Sequence, residues 1–301
     1  MIELKNVSKS YDKGENPVVE DISFTVEPGK IHGLIGPNGS GKTTLIKCMT
    51  GIFTADSGQI LLNGQPVYDN PAAKKEIGYV ADNCNFFPKY RVRDMIKFYK
   101  GMYEKFDEAE FHKLNEVFEI PLKKKIGHLS KGQKMRTSFM LNMAMNPAVL
   151  IMDEPTSGLD AVAKADLLEQ IVARVEYGEM AVVISTHHLY ELEKICDTVT
   201  MLGSKGVDYQ GDLDDVKTQI GKYQVVFKNG VPEGVLNDYR IVSYSNIGSV
   251  YTFLWDSKLD DEEENAEQFF LDKGADLVEP TEISLEEVFV YSNRKRRNGH
   301  E

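Results

Sequence analysis

Apolar and polar positions follow two rhythms along this chain, and the change of rhythm organises it. Up to about residue 70 the pattern predicts short strands, broken by turn signals at Asp12-Lys13-Gly14, Glu27-Pro28-Gly29, Asp56-Ser57-Gly58 and Asn63-Gly64. Ile22-Ser23-Phe24-Thr25-Val26 alternates as a half-buried strand does, whereas Ile31 to Ile35 reads as a fully buried one and Thr44 to Met49 as a helix. From Arg93 to Met145 the period lengthens: Ile96, Tyr99, Tyr103 and Phe106 recur at helical spacing, as do Leu114, Val117 and Phe118. Strand and helix then alternate through Ala148 to Met152, Ala161 to Glu176, Met180 to Ser185, His188 to Ile195 and Thr198 to Leu202. That alternation predicts parallel strands covered by helices, an α/β core. A charged helical stretch, Asp212 to Gln219, and Gly221 close this part.

Beyond Tyr223 the texture changes. Strands are expected at Tyr223 to Phe227, Arg240 to Tyr244 and Ser249 to Trp255, then an acidic helix through Asp260 to Leu271 and a last helix near Ser284 to Tyr291. The expected division is residues 1–220 as one domain and 221–301 as a small accessory α+β domain with a basic tail, Arg294-Lys295-Arg296-Arg297. That tail reads either as a solvated end or as a patch drawn to anionic lipid. A length of 301 residues allows two domains with separate cores. A net charge of −12 argues against a nucleic-acid surface spread over the molecule, and no nucleic-acid partner is expected. No apolar run approaches the ~18 residues that span a bilayer, and the start, Met1-Ile2-Glu3-Leu4-Lys5, lacks signal-peptide character. A cytosolic chain that meets a membrane only through a partner is expected. Cys48, Cys84 and Cys196 have neither disulfide nor metal-ligand spacing, and His32, His112, His128 and His300 form no ligand set, so no protein-bound transition metal is expected.

The strand at Ile31 to Ile35 runs into Gly36-Pro37-Asn38-Gly39-Ser40-Gly41-Lys42-Thr43, followed by Thr44. All fixed positions of the phosphate-binding loop G-x-x-x-x-G-K-[ST] are present, in the strand-loop-helix context the motif requires. Glycines let successive backbone N–H groups turn inward on a phosphate, and the helix N-terminus adds its positive end. Lys42 is the candidate for the β- and γ-phosphates, and the Thr43 hydroxyl for Mg²⁺. Downstream, Ala148 to Met152 is an apolar strand ending in Asp153-Glu154. Asp153 is the candidate metal anchor and Glu154, pointing the other way, the candidate base for attacking water. An acidic pair after a strand is also a common turn or cap. Leu129-Ser130-Lys131-Gly132-Gln133 carries a second N-terminal signal: Ser130 and Gln133 make a capping box, S-x-x-Q, for a helix ending at Asn146-Pro147. Such a cap leaves the helix N-terminus open to an anion.

Gly36 to Thr43, Leu129 to Gln133, Asp153-Glu154, Ser157-Gly158-Leu159-Asp160 and Ser185-Thr186-His187 together resemble an ABC transporter ATPase, in order and approximate spacing, over residues 1 to about 215. The resemblance implies a P-loop NTPase cassette: a mixed sheet core, an antiparallel β subdomain and a helical signature subdomain. It implies ATP and Mg²⁺ as cofactors, and a head-to-tail dimer in which each ATP lies between the phosphate loop of one subunit and Ser130, Gly132 and Gln133 of the other. By the same resemblance Asp160 communicates across the dimer, His187 contacts the γ-phosphate, and Tyr11 matches the position that stacks on adenine. Residues 283–289 look like the end of drug, peptide and antibiotic exporter subunits, a pattern that an amphipathic closing helix shares.

Two positions depart from the family pattern. Lys131 stands where glycine is usual. After Ile77-Gly78-Tyr79-Val80, Ala81-Asp82-Asn83 stands where relatives place a glutamine that touches Mg²⁺ and water. Asp82 is thus a candidate metal ligand whose charge favours Mg²⁺ binding and slows hydrolysis, with Asn83 as the alternative contact. The resulting expectation is the ATP-hydrolysing motor of an exporter at the cytoplasmic face of the cell membrane. Its partners are a separate membrane-spanning permease, docking near Phe86, Phe87 and Tyr90, and a second ATPase subunit in a homodimer or heterodimer. Those aromatics also fit an ordinary core. The alternatives are a soluble ABC ATPase acting on ribosomes or DNA, and an ABC ATPase in antibiotic sensing or resistance.

Overall fold

The computed structural model describes residues 1–12, 16–84, 87–178, 180–203, 206–218, 220–257 and 265–289. The chain begins with β1 (Ile2–Ser10) and β2 (Pro17–Val26), antiparallel neighbours with Ile2 opposite Val26 and Leu4 opposite Phe24. Alternate side chains of both strands, Ile2, Leu4, Ile22, Phe24 and Val26 among them, are buried, as a one-faced antiparallel sheet requires. Next come β3 (Ile31–Ile35), α1 (Lys42–Met49), β4 (Ser57–Leu62) and β5 (Gln65–Pro66). The strands β2-β1-β4-β5 form one four-stranded sheet.

Short α2 (Pro71–Lys75), capped by Asn70, leads to β6 (Ile77–Val80). A helical layer follows: α3 (Val92–Met102), α4 (Glu108–Phe118) and α5 (Lys131–Ala144). The helical spacing read from Tyr99, Tyr103 and Phe106 is realised as ring contacts of 5.4 and 6.2 Å, and Phe118 meets Phe139 edge-to-face at 5.9 Å. Then come β7 (Val149–Asp153), α6 (Ala161–Glu176), β8 (Ala181–Ser185), α7 (Leu189–Leu192), β9 (Thr198–Gly203) and β10 (Gly206–Asp212). A six-stranded sheet runs β10-β9-β3-β8-β7-β6, parallel from β9 through β6. Every residue of β3, β7 and β8 is buried, the signature of parallel strands covered on both faces. The mixed sheet core, the antiparallel β subdomain and the helical subdomain expected of the cassette are all present. Because β3, β7 and β8 are adjacent and parallel, Gly36, Glu154 and Thr186 all emerge at one end of the sheet, where α/β proteins place ligands.

The remaining elements are α8 (Leu213–Thr218), β11 (Ile220–Val226), β12 (Ile241–Ile247), β13 (Val250–Asp256), α9 (Ala266–Asp272) and β14 (Leu277–Thr281). Compactness divides the chain into Met1–His188 with Lys194–Gln210, and Leu189–Glu193 with residues from Gly211 onward. The second unit holds an antiparallel sheet, β12-β13-β11-β14, packed on Phe253, Trp255, Phe269 and Phe270. Arg240 enters that core with its guanidinium 4.6 Å from the Trp255 ring and 4.7 Å from Phe269, and it holds Asp238 at 3.0 Å. Two strands went unread in the sequence. Gly206–Asp212 lies just before the expected helical stretch and takes in its first residue, Asp212, and Leu277–Thr281 contains Pro280, which an edge strand tolerates. The acidic helix is seen from Ala266. Its expected beginning, Phe86 and the basic tail 294–297 lie outside the described residues.

Candidate nucleotide site

The loop from Gly36 to Gly41 is shaped by close approaches that only hydrogen at Cα permits. A Cβ on Gly36 would lie 2.4 Å from Ser40 Oγ and 2.7 Å from Leu202 O, and one on Gly41 would lie 2.7 Å from Val18 O. Gly41 also adopts φ +93° as it caps α1, and Gly39 adopts φ +86°. Lys42 is buried, and its Nζ donates to Gly36 O at 2.6 Å and Pro37 O at 3.1 Å, curling back over its own loop. Burial holds the Lys42 pKa below its ordinary value, against the upward pull of Glu154 and Asp153. Ser40 Oγ is buried with no hydrogen-bond partner among the described residues. Its hydroxyl and the turned backbone form a cradle suited to a phosphate.

β7 delivers the carboxylates. Asp153 is 3% exposed and accepts from both sides: Thr43 Oγ1 at 2.8 Å and Ser185 Oγ at 2.5 Å. Glu154 leaves the strand at φ +50°, an uncommon conformation for a side-chain-bearing residue, while its N–H donates to Ser185 O at 2.9 Å. The turn swings its carboxylate to His187, whose Nδ1 lies 2.9 Å from Glu154 Oε2. A cavity of about 650 Å³ is lined by Lys42, Thr43, Asp82, Asn83, Asp153 and Glu154, with Asn38, Gly39 and Thr44 also on its wall. Burial, then the negative charges of Asp153 and Asp82 with Cys84, pushes the Tyr79 phenol up to about 12.

The oxygen donors fit Mg²⁺, which is normally held by one or two carboxylates together with phosphate oxygens and water. Thr43 and Asp153 offer a hydroxyl and a carboxylate already in contact. Among the described residues, no three His, Cys, Asp or Glu side chains converge as a metal cage. Asp82, the third expected metal residue, lies on the wall of the same cavity, where its Oδ1 accepts from Lys131 Nζ at 2.7 Å. The sequence carried no signal for that pair, because the partners are far apart in the chain and lie on different elements.

The other expected residues sit as follows. Ser130 and Gln133 form the capping box read from sequence, with Gln133 N donating to Ser130 Oγ and Ser130 N to Gln133 Oε1, both at 3.2 Å. Gly132 is buried against Leu159, whose Cδ2 would be 2.9 Å from an added Cβ. Asp160 caps α6, accepting from Ala163 N at 2.9 Å, and that bond holds its carboxyl below the usual range. Tyr11 is 63% exposed; its hydroxyl lies 2.9 Å from Thr44 Oγ1 and its ring meets Phe53 edge-on at 6.1 Å.

A model of the ABC transporter family matches residues 19–157. Over 290 residues, 96% of this chain and 97% of the relative, the chain is 33% identical to the ABC transporter ATP-binding protein YtrB of Bacillus subtilis. The chain belongs to the ABC transporter ATP-binding family. This ABC ATPase is also 35% identical over 241 residues to Nod factor export ATP-binding protein I of Rhizobium etli, covering 77% of this chain and 74% of that one. Among solved structures it resembles an ATP-binding subunit of an ABC transporter at 30% identity and TM-score 0.67, covering 73% and 92% of the two chains. At 22% identity and TM-score 0.64, covering 71% of this chain and 99% of the other, it shares the fold of the cassette MJ0796. The family makes the protein an ATP-binding ATPase.

Proposed function

We propose that this ABC ATPase is the motor of an exporter, working as a pair of cassettes beneath a separate membrane-spanning permease at the cytoplasmic face. In that reading Gly36 to Thr44 bind the triphosphate, Thr43 and Asp153 hold Mg²⁺, and Tyr11 offers its exposed ring face to adenine. Glu154 accepts the proton of a water whose oxygen attacks the γ-phosphorus while the bond from that phosphorus to the oxygen bridging it to the β-phosphate breaks and ADP leaves, and His187, 2.9 Å from the Glu154 carboxylate, contacts the γ-phosphate. Mg²⁺, when bound, supplies charge neutralisation of the phosphates. The second subunit contributes Ser130, Gly132 and Gln133 at the start of its signature helix, together with Asp160.

The observation that carries this reading is the joint presence of a complete phosphate loop and a separate helix N-terminus capped by Ser130 and Gln133. The likeness to an export ATP-binding protein favours outward transport. Among the described residues no helix is long and apolar enough to cross a membrane. Phe87 and Tyr90, 54% and 49% exposed and with rings 5.3 Å apart, form with Phe98 the surface proposed for the permease's cytoplasmic helix. Residues 221–301 are assigned to an accessory domain. The test is co-purification from detergent-solubilised membranes with a polytopic protein, repeated with Phe87→Ala/Tyr90→Ala. Recovery of the polytopic protein with the wild type and its loss with the double variant is expected. Sedimentation with ribosomes instead overturns the proposal.

A further inference from the structure

Lys131 and Asp82, the two departures from the family pattern, meet each other. Lys131 Nζ lies 2.7 Å from Asp82 Oδ1 and 3.2 Å from Ser157 Oγ. Asp82 follows β6 by two residues. Because Val80 is registered on Met152 of β7, Asp82 comes level with Glu154, and both line the same cavity. Lys131 opens α5, directly after the cap Ser130. Ser157 belongs to the turn after β7, where its N–H donates to Glu154 O at 3.1 Å. One ammonium therefore bridges the loop after β6, the first turn of α5 and the turn that carries Glu154. Farther along α5, Asn142 Oδ1 accepts from Tyr79 N at 2.9 Å, so β6 and its loop are tied to this helix at two points.

The side chains of Lys131 and Asp82 are 49% and 39% exposed. Ion pairs so exposed add little to fold stability. Their effect on charge is larger: the cavity already carries Asp153 and Glu154, and an unpaired third carboxylate beside them opposes entry of a triphosphate. We propose that Lys131 is a positioning residue for ATP. It takes up the charge of Asp82 and holds residues 81–84 against the signature helix, so that this carboxylate does not repel the nucleotide. The inference rests on the cavity being the ATP site.

The test is equilibrium binding of a fluorescent ATP analogue with Mg²⁺ to the full chain at low and high salt, with melting temperatures recorded. The variants are Lys131→Met, Lys131→Arg, Asp82→Asn and Lys131→Met/Asp82→Asn. Lys131→Met is expected to weaken binding about tenfold at low salt and less at high salt, because screening weakens the repulsion. Adding Asp82→Asn is expected to restore affinity to within about threefold of wild type, the non-additivity of a coupled pair. Lys131→Arg keeps the charge and is expected to bind within about twofold of wild type, a comparison that holds should Lys131→Met misfold. Unaltered binding by Lys131→Met overturns the proposal. So does a double variant no better than Lys131→Met alone, or a loss that merely follows a lowered melting temperature. Lys42→Ala serves as the separate control: retained binding there overturns the ATP-site reading, whereas lost binding without Lys131–Asp82 coupling overturns only this inference.

Discussion

The ends of β6 and β7 lie side by side in parallel register, and both lead into carboxylates, yet the two ends have become different chemical objects. β7 is flanked by β6 and β8, and Asp153 at its tip is buried between the hydroxyls of Thr43 and Ser185. β6 is the edge of the sheet, and Asp82 beyond it is partly exposed and answered by the ammonium of Lys131. A central strand end is walled by neutral donors that orient the carboxylate, which suits a metal and a reacting phosphate. An edge strand end is open to a side chain from a covering helix, so its carboxylate is neutralised from outside. Position in the sheet, more than residue type, accounts for the different surroundings of Asp82 and Asp153.

The hardest test of that contrast is Glu154→Gln. If the β7 end holds the chemistry, hydrolysis falls about 10²- to 10⁴-fold while ATP binding persists, as loss of a general base predicts. Single-turnover hydrolysis beside equilibrium binding checks it, and turnover within about tenfold of wild type removes Glu154 from the role. Asp153→Asn comes next. It keeps the shape between Thr43 and Ser185 but removes the charge, and the Mg²⁺ concentration for half-maximal ATPase is expected to rise about 10- to 100-fold. Measured against the same Mg²⁺ series, Asp82→Asn is expected to shift the midpoint less; equal shifts would erase the distinction between the strand ends.

A smaller effect probes the sheet beneath both ends. His32, on β3, is buried between Phe24, stacked at 4.5 Å, and the hydroxyls of Thr198 and Thr200 at 2.8 and 3.0 Å. Burial pushes its pKa down to about 3 from an unfolded value of 6.5. The unfolded chain therefore binds the extra proton first as pH falls. The stabilising contribution is full above pH 6.5 and is lost progressively between pH 6.5 and 3. His32→Gln is expected to flatten this part of the stability-pH curve by about 1–3 kcal/mol, leaving turnover per folded molecule at pH 7.5 unaltered. Chemical denaturation at pH 7.5 and 5 measures it, and identical pH slopes for the two proteins would contradict it.

What could be read from sequence and what could not divide along the same physical line. The phosphate loop, the acidic strand end and the Ser130–Gln133 capping box are local arrangements, fixed within a few residues by backbone conformation, and each appears where the residues placed it. The pairing of Lys131 with Asp82 depends on α5 folding over the edge of the sheet, and nothing within either segment announces it. Asp160 belongs to the family motif by sequence and is also the local cap of α6. β14 escaped because Pro280 reads as a strand breaker, and only its place at the sheet edge removes the objection. Tyr11 is tied by its hydroxyl to Thr44, which keeps its ring beside the phosphate-loop helix without deciding what covers its face.

The smallest expected effect falls on Ser157, the second acceptor of the Lys131 ammonium. At 3.2 Å against 2.7 Å for Asp82, and neutral where Asp82 is charged, its hydroxyl is the weaker partner. Ser157→Ala is accordingly expected to weaken ATP affinity by no more than about twofold, with little salt dependence, because no charge is unmasked. A loss as large as that of Lys131→Met would mean that the hydroxyl, and not the carboxylate, fixes the ammonium. In that case the end of β6 would be organised as the end of β7 is, by hydroxyl neighbours, and the edge position of Asp82 would no longer explain its separate role.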